Sequence, residues 1–234
     1  MENSKKVFTT AIILAAGLGT RLGLDCPKQK LRLLNKSLLV YAVEPFLMCS
    51  SVDSIVVVTL SEDIDFANKE LQFASEKLYK IVSGGACRAE SARLGFNAIP
   101  EETTHIVIHD AARCLIHEAD ISTVISAAIE YGAASAVKKV TDTVKFLEDG
   151  MIKNTVPREN LVLAQTPQVF ELALYEKAFD SVKDLSLITD DNMLIENLDI
   201  KVKPVELKFD NPKITYQSDL EYAEFLLLRR RSHE

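Results

Sequence analysis

A short apolar run that ends in a glycine-rich turn constrains the fold of this chain more than any other feature. Residues 11–15 are all apolar, and Gly17 and Gly19 follow almost at once. A short run without polar alternation is typical of a strand buried on both faces, as in parallel sheets. The loop after such a strand lies at the carboxyl edge of the sheet, where open α/β sheets bind their ligands. We therefore expect an α/β fold with a ligand-binding loop that begins at residue 15.

The residues of this loop have the groups that a polyphosphate requires. Gly17 and Gly19 let the backbone approach a ligand closely, so that successive amides can form an anion nest. Arg21 adds a planar guanidinium and Lys28 a mobile ammonium for phosphate oxygens. The dinucleotide fingerprint and the P-loop both require residues that this loop lacks, and a plain turn with solvated charges is the alternative interpretation.

The first 140 residues alternate between apolar, β-branched runs and segments with helical periodicity. Such alternation predicts a mostly parallel sheet with helices on both faces. The length of 234 residues suits a single domain. The predicted strands cover 55–60, 80–83, 105–109 and 134–140, and the predicted helices cover 37–49, 62–79, 88–99 and 118–131.

Two further strand ends carry polar residues where ligands bind in such a sheet. Gly84 and Gly85 follow one predicted strand, and Ser91 lies in the first turn of the next helix. Backbone amides there can hydrogen-bond the edge of a base, and a tight turn with an exposed serine is the alternative. At the next strand end, Asp110 and Arg113 are placed to meet a metal ion, a hydroxyl or a phosphate. A local ion pair is the alternative interpretation of these two residues.

The alternation stops after residue 140, and residues 141–158 predict a protruding β-hairpin arm. Its two strands flank the two-residue turn Asp149-Gly150. A hairpin that leaves an α/β sheet often reaches a neighbouring subunit. Thr143 and Arg158 lie on opposite sides of the arm, close enough for both to meet one ligand.

Composition excludes several classes of protein. The net charge of −7 argues against a nucleic-acid partner, because polyanion-binding surfaces carry a basic excess. The four cysteines show neither Cys-x-x-Cys pairing nor zinc-site spacing, so we expect reduced thiols, no metal site built from side chains, and a cytoplasmic location. No run approaches the roughly 18 apolar residues of a membrane span, so no membrane contact is expected. A signal peptide is the alternative interpretation of Lys5, Lys6 and the apolar run that follows.

Nine short motifs follow one another in order between residues 11 and 225. They are A-A-G-L-G-T-R, P-K-Q, G-G-x-x-R-x-x-S, H-D-A-A-R, D-T-V-K, V-P-R-E-N-L, A-Q-T-P-Q-V-F, I-T-D-D and P-K-I-T. Together they resemble the 2-C-methyl-D-erythritol 4-phosphate cytidylyltransferase family of the non-mevalonate isoprenoid pathway. The resemblance implies a Rossmann-like, doubly wound, mostly parallel sheet of the nucleotide-diphospho-sugar transferase type, with the hairpin arm protruding from it.

The resemblance also implies two substrates, CTP and a polyol phosphate, and a role for each candidate residue. Mg²⁺ would be held mainly by the CTP phosphates, and the arm would cross to the partner of a homodimer. Arg21 and Lys28 would stabilise charge on the triphosphate, while Arg158 and Lys213 would hold the acceptor phosphate. The CTP site would comprise Ala15, Ala16, Gly17, Gly19, Thr20, Gly85, Ala86 and Ser91. The polyol phosphate site would comprise Asp110, Arg113, Thr143, Thr166 and Thr189, with Thr143 and Arg158 serving the partner's site.

Two alternatives stay open at this point. A ribitol-5-phosphate cytidylyltransferase has the same architecture, but its opening loop usually reads A-G-G where this chain has Ala15-Ala16-Gly17. A non-catalytic CTP-binding protein of the same fold is the other alternative.

Three places depart from the family pattern. Cys114 follows the D-A-A-R motif, Lys30 follows P-K-Q, and Asn192-Met193 follow T-D-D. Whether Cys114 is a reactive thiol depends on its exposure and on its thiol pKa.

Overall fold

The computed structural model describes residues 6–17, 19, 27–74 and 76–231. The strands in this part of the chain are β1 (Thr9–Leu14), β2 (Arg32–Leu33), β3 (Lys36–Ser37), β4 (Ser54–Thr59), β5 (Leu78–Ser83), β6 (His105–Asp110), β7 (Ala133–Lys139), β8 (Val144–Glu148), β9 (Met151–Val156), β10 (Val162–Glu171) and β11 (Lys203–Glu206). The α-helices there are α1 (Leu38–Met48), α2 (Ile64–Glu70), α3 (Arg88–Phe96), α4 (Glu118–Tyr131), α5 (Leu172–Ser181), α6 (Asn192–Glu196) and α7 (Gln217–Arg231).

A central sheet of seven strands organises the described residues, in the order β11-β7-β10-β6-β1-β4-β5. All its neighbouring pairs are parallel except the two that β10 makes with β6 and β7. The register of β10 against β7 is interrupted between Ala164 and Gln168, where Pro167 lacks an N–H for the ladder. The mostly parallel α/β sheet expected from the sequence is confirmed.

Alternate residues of the central strands are buried in two separate hydrophobic cores, one on each face of the sheet. On one face, Ile13 of β1 and Val57 of β4 pack with helices α1, α2, α4 and α7. On the other face, Ile12 and Val58 pack with α3, α5 and α6. Strands buried on both faces account for the continuous apolar runs in the sequence, and helices on both faces make the sheet doubly wound.

Most predicted elements agree with the structure, and one does not. Helix α4 has the predicted bounds, and Ser37 caps α1 by accepting a hydrogen bond from the Val40 amide at 3.3 Å. The single helix predicted over 62–79 is wrong. The chain there forms two 3-10 turns around the short helix α2, and Leu78 already pairs with β4.

The predicted arm is present as the separate two-stranded sheet β8-β9. Asp149 and Gly150 both have positive φ, at 50° and 78°, as a two-residue hairpin turn of type I′ requires. Large apolar side chains lie in solvent along it, and Met151 is 74% exposed. The arm therefore carries apolar surface that the described residues of this chain do not cover.

In the part of the chain that the structure describes, no helix combines the length and the apolar character needed to cross a bilayer.

Candidate active site

A cavity of about 430 Å³ lies at the carboxyl edge of β1, β5 and β6. β6 and β1 are neighbours in the sheet, and β5 lies one strand further along, beyond β4, so the loops that follow these parallel strands open at the same edge of the sheet. The lining residues include Ala15, Ala16, Gly17, Gly19, Lys28, Gln29, Gly85, Ala86, Arg88, Ser91, Asp110 and Lys213. Ten of the eighteen described lining residues are among those predicted from the sequence, which makes this cavity the candidate site.

The loop after β1 forms the first wall. The Ala15 amide donates to the Val58 carbonyl at 2.7 Å, which fixes the start of the loop to the end of β4. Lys28 begins a 3-10 turn over Lys28–Lys30, and its ammonium donates to the Ile214 carbonyl at 2.5 Å. Thr20 and Arg21, which the sequence also predicts for this wall, lie outside the described residues.

The loop between β5 and α3 forms the second wall and lies very close to the first. A Cβ on Gly84 would be only 2.4 Å from the Ala16 Cβ, so no side chain fits between the two loops. The Ser91 hydroxyl accepts from the Gly85 amide at 3.1 Å and donates to the Cys87 carbonyl at 3.0 Å. Ser91 therefore shapes the loop from within, besides lining the cavity.

The loop between β5 and α3 also uses a carboxylate for its own geometry. The Glu90 side chain accepts a hydrogen bond from the Ala86 amide at 2.7 Å. Glu90 lies in the first turn of α3, where a carboxylate is stabilised by the helix dipole. The loop conformation thus depends on residues of α3 as well as on its glycines.

Asp110 occupies the third wall and holds two cations. Its Oδ1 accepts from Arg88 Nε at 3.0 Å, and its Oδ2 accepts from Lys213 Nζ at 2.7 Å. Burial raises the pKa of the Asp110 carboxyl, but the charges of Arg88 and Lys213 outweigh burial and hold that pKa well below its usual range. Asp110 is therefore ionised at neutral pH, and it fixes the Lys213 ammonium at the edge of the cavity.

Sequence reasoning missed Arg88 as a site residue. Its Nη1 donates to Asp191 Oδ2 at 2.7 Å, so the guanidinium bridges two carboxylates. Burial lowers the pKa of Arg88, but Asp191 and Asp110 raise it further above its ordinary value, and the group stays charged. The signal was present in the G-G-x-x-R-x-x-S motif, but a solvated arginine and a buried one look alike in a single sequence.

Gln29 is a second lining residue that sequence reasoning missed. It is 5% exposed, and neither its amide oxygen nor its amide nitrogen has a hydrogen-bond partner among the described residues. It follows Lys28 directly in the P-K-Q motif, whose lysine alone received a role from the sequence.

Residues 211–215, which carry Lys213, are held by several elements of the site. Arg113 Nη1 donates to the Asn211 carbonyl at 2.9 Å, and the Ile214 amide donates to the Ala112 carbonyl at 2.8 Å. Asn211 Nδ2 in turn donates to the Thr166 carbonyl at 2.8 Å. The structure thus places Arg113 behind the Lys213 segment and not in the cavity wall.

Thr166 likewise supports the site from a position outside the cavity lining. It is 4% exposed, and its hydroxyl accepts a hydrogen bond from the Asp110 amide at 3.1 Å. The same hydroxyl lies 3.1 Å from Nδ1 of His109. Thr166 therefore fixes the end of β6, from which Asp110 projects.

Comparison with known proteins agrees with the ordered motifs of the sequence. A model of the family described as 2-C-methyl-D-erythritol 4-phosphate cytidylyltransferase matches residues 9–229. The chain belongs to this family. The resemblance predicted from the ordered motifs is confirmed.

Similar proteins and structures cover nearly all of the chain. The 2-C-methyl-D-erythritol 4-phosphate cytidylyltransferase of Endomicrobium trichonymphae is 39% identical over 218 residues, which cover 93% of this chain and 97% of that protein. The crystal structure of 4-diphosphocytidyl-2C-methyl-D-erythritol synthase from Anaerococcus prevotii has a TM-score of 0.81 and 28% identity, and the match covers 95% of this chain and 99% of that one. The Francisella tularensis cytidylyltransferase structure has a TM-score of 0.78 and 31% identity, and the match covers 93% of this chain and 99% of that one.

Besides Arg113 and Thr166, three further residues expected from the cytidylyltransferase resemblance do not line the cavity of this chain. Thr143 and Arg158 are exposed at the base of the arm, where Arg158 Nη1 donates to the Thr141 carbonyl. Thr189 is also exposed, and its hydroxyl donates to the Met193 sulfur at 3.0 Å. The described part of this chain alone therefore does not bring these three residues to the cavity.

The departures from the cytidylyltransferase pattern have structural explanations. Cys114 is 1% exposed, and burial raises the pKa of its thiol to about 12, which keeps it protonated and unreactive. Lys30 pairs with the buried Asp63 at 2.5 Å. Asn192 Nδ2 donates to the Ser135 hydroxyl at 2.9 Å. All three residues support the fold from positions outside the cavity lining.

The cavity lining fits a metal ion that arrives with a nucleotide. In the described ranges, no group of three or more His, Cys, Asp or Glu side chains is arranged to hold a metal, and Asp110 is the single carboxylate of the lining. Mg²⁺ in nucleotide sites is bound by one or two carboxylates together with substrate phosphates and water. The donor set therefore suits Mg²⁺ held mainly by phosphate oxygens.

Proposed function

We propose that this chain transfers CMP from CTP to 2-C-methyl-D-erythritol 4-phosphate and releases pyrophosphate. The observation that carries the proposal is the meeting of Lys28 and Lys213 at one cavity. Lys28 extends from the glycine loop to the carbonyl of Ile214, and Lys213 is the residue before it. One cavity therefore offers cations to two different phosphates, as transfer between a triphosphate and a phosphate monoester requires.

The reaction needs no nucleophilic side chain from the protein. An oxygen of the acceptor phosphate attacks the α-phosphorus of CTP, and the bond from that phosphorus to the bridging oxygen of the β-phosphate breaks. The electron pair of this bond leaves with pyrophosphate. The protein contributes positioning and charge stabilisation.

Four cationic residues divide this work in the proposal. Arg21 and Lys28 stabilise charge on the triphosphate, and Lys213 together with Arg158 holds the acceptor phosphate in line. Lys213 is suited to this role because Asp110 fixes its ammonium at the cavity edge while 41% of its side chain stays exposed. A fixed cation that is already oriented loses little freedom when the phosphate binds.

The remaining candidate residues surround the two substrates. Ala16, Gly17, Gly19 and Thr20 hold the triphosphate, and Ala15, Gly85, Ala86 and Ser91 surround the cytosine. Asp110, Arg113, Thr143, Thr166 and Thr189 form or support the polyol phosphate site. Mg²⁺ would be held mainly by the CTP phosphates and would neutralise phosphate charge, and Asp110 is the carboxylate that the described lining could offer it.

The proposal includes a homodimer in which each arm completes the partner's site. Thr143 and Arg158 do not line the cavity of their own chain, and the arm exposes the apolar residues Phe146, Leu147 and Met151. An apolar hairpin of this kind is stabilised when another chain covers it. The cytoplasmic location expected from the sequence stays a prediction.

Pyrophosphate release by the purified chain tests the proposal. CTP and Mg²⁺ are supplied with 2-C-methyl-D-erythritol 4-phosphate in one reaction and D-ribitol 5-phosphate in a parallel one. We expect rapid release with the branched tetritol phosphate and only slow release with ribitol 5-phosphate. Lys213→Gln is the matched variant, and it should lose transfer while it still binds CTP.

Two results would contradict the proposed function in different ways. Preference for ribitol 5-phosphate would retain the phosphate chemistry but change the acceptor. CTP binding without pyrophosphate release from either acceptor would instead indicate a binding protein of the same fold.

A further inference from the structure

Arg88 connects the nucleotide side of the cavity to the acceptor side. It is the first residue of α3, immediately after the loop that carries Gly85 and Ala86. Its side chain crosses to the third wall, where Nε contacts Asp110 at 3.0 Å and Nη1 contacts Asp191 at 2.7 Å. Within the described residues, these carboxylates lie on different elements, the end of β6 and the segment before α6.

Asp191 is an anchor for Arg88 and is itself firmly held. It is 1% exposed, its Oδ1 accepts from the Tyr175 hydroxyl at 2.6 Å, and its amide donates to Gln168 Oε1 at 2.9 Å. Tyr175 is fully buried within the core that α5 forms with the sheet. Core residues therefore fix the position of the Arg88 guanidinium through Asp191.

Asp110 transmits this fixed position to Lys213. Arg88 contacts Oδ1 and Lys213 contacts Oδ2 of the same carboxylate. Because both oxygens belong to one rigid planar group, a rotation of the carboxylate moves both contacts together. Two anions and two cations alternate along this chain of contacts, so its formal charge is zero: −1 for Asp191, +1 for Arg88, −1 for Asp110 and +1 for Lys213.

We propose that Arg88 is a positioning residue that, through Asp110, fixes Lys213 where the acceptor phosphate is held. The inference rests on the proposed function for the role of Lys213. Arg88 suits this task because its planar fork presents Nε and Nη1 to two carboxylates at once, whereas a lysine presents one point charge. The loop between β5 and α3 has its own hydrogen bonds to Ser91 and Glu90, so we expect CTP binding to persist without Arg88.

A charge-balanced double variant tests the inference. Arg88→Gln alone would leave Asp191 as an uncompensated buried charge and endanger folding. Arg88→Gln combined with Asp191→Asn removes one positive and one negative charge and leaves the pair of Asp110 and Lys213 intact. We expect kcat/KM for the acceptor to fall about 10²-fold, with KM for CTP unchanged, because a small misplacement of a positioning group has costs of this size.

Two further variants complete the comparison. Arg88→Lys keeps every charge but should still have a reduced transfer rate relative to the unmodified chain. It tests the positioning role even if the double variant does not fold. Arg93→Gln removes an exposed arginine from the same helix and should retain the activity of the unmodified chain. A double variant, or an Arg88→Lys variant, with the transfer rate of the unmodified chain would overturn the inference, because neutralisation of charge would then be sufficient.

A measurement without substrates separates this inference from the proposed function. Reductive methylation with ¹³C labels lysine amines while their charge is kept, and Lys213→Arg identifies the Lys213 signal in an NMR spectrum. The signal should move in the double variant and stay unchanged in Arg93→Gln. An unmoved signal overturns the positioning role, whereas an unmodified chain that releases no pyrophosphate overturns only the proposed function.

Discussion

At the scale of single residues, the site depends on a buried histidine that never enters the cavity. His109 is 0% exposed and lies against Phe46, with ring centroids 4.9 Å apart. Its Nε2 is 3.1 Å from the Arg113 carbonyl, and its Nδ1 is 3.1 Å from the Thr166 hydroxyl that holds Asp110. Burial lowers the pKa of His109 to about 4, although the Asp110 carboxylate acts in the opposite direction. The ring is therefore neutral in the folded protein at physiological pH.

This neutral ring predicts a loss of stability in mild acid. In the unfolded chain the histidine pKa is near 6.5, so the unfolded state takes up a proton that the folded state does not bind until about pH 4. Because the unfolded state binds more protons in this window, the free energy of unfolding decreases as pH falls. Between about pH 7.5 and about pH 5, we expect His109 to account for a loss of about 2 kcal/mol.

Urea unfolding at the two pH values measures this contribution. His109→Gln removes the titrating ring. The unfolding free energy of this variant should therefore decrease by about 2 kcal/mol less than that of the unmodified chain between the two pH values. Each protein is compared with itself, so any cost of the substitution at neutral pH cancels. An equal decrease in both proteins would show that His109 does not remain neutral in the folded state.

At the scale of elements, the site depends on how closely α3 approaches the sheet. Gly95 faces β1 and β4, and a Cβ there would be 2.4 Å from Ile12 Cγ2 and 2.7 Å from Val58 Cγ2. Glycine is usually unfavourable inside a helix, by about 1 kcal/mol relative to alanine. Its presence here lets α3, with Arg88 and Ser91 in its first turn, lie directly on the strands that end at the cavity.

Gly95→Ala should therefore destabilise the protein despite the better helix propensity of alanine. We expect a net loss of about 1–3 kcal/mol, the usual cost of inserting a methyl group into a packed core. Chemical denaturation measures the loss, and Leu94→Ala on the exposed side of the same helix is the control, with an expected change within about 0.5 kcal/mol. A Gly95→Ala variant more stable than the unmodified chain would show that α3 can shift away from the sheet at little cost.

The same scale shows what the sequence could predict and what it could not. Helix α4 and the arm were predictable because each has a clear period and a clear turn signal within one segment. The start of β5 was not, because Leu78 and Tyr79 continue a helical pattern and only pairing with β4 selects the strand. Arg88 and Asp191 escaped detection for a related reason, since 103 residues separate them in sequence and tertiary contact alone reveals their ion pair.

At the scale of the whole molecule, the proposed function requires a partner chain to complete the candidate site. The cavity lining contains Lys28 and Lys213 but neither Thr143 nor Arg158. The arm that carries the latter two is a separate two-stranded sheet with exposed apolar side chains. In a symmetric dimer each arm would meet the other chain in the same way, so both sites would be completed by one type of contact.

Mixed dimers test this arrangement directly. Arg158→Ala and Lys28→Ala each remove one cation and should each abolish most transfer activity. In a dimer of one chain of each kind, the site of the Arg158→Ala chain keeps its own Lys28 and receives an intact arm from its partner. We therefore expect such dimers, purified through two different affinity tags, to have about half of the activity of the unmodified dimer, because one of two symmetric sites is complete.

The control pairs two variants of the arm. A mixed dimer of Arg158→Ala with Thr143→Ala carries one defect in the arm that serves each site, so neither site is complete and activity should stay low. If the mixture of Arg158→Ala and Lys28→Ala also stays inactive while both chains still bind CTP, the arm serves its own chain. Arg158 would then have to reach its own cavity by a movement of the hairpin, and the apolar surface of the arm would require a different explanation.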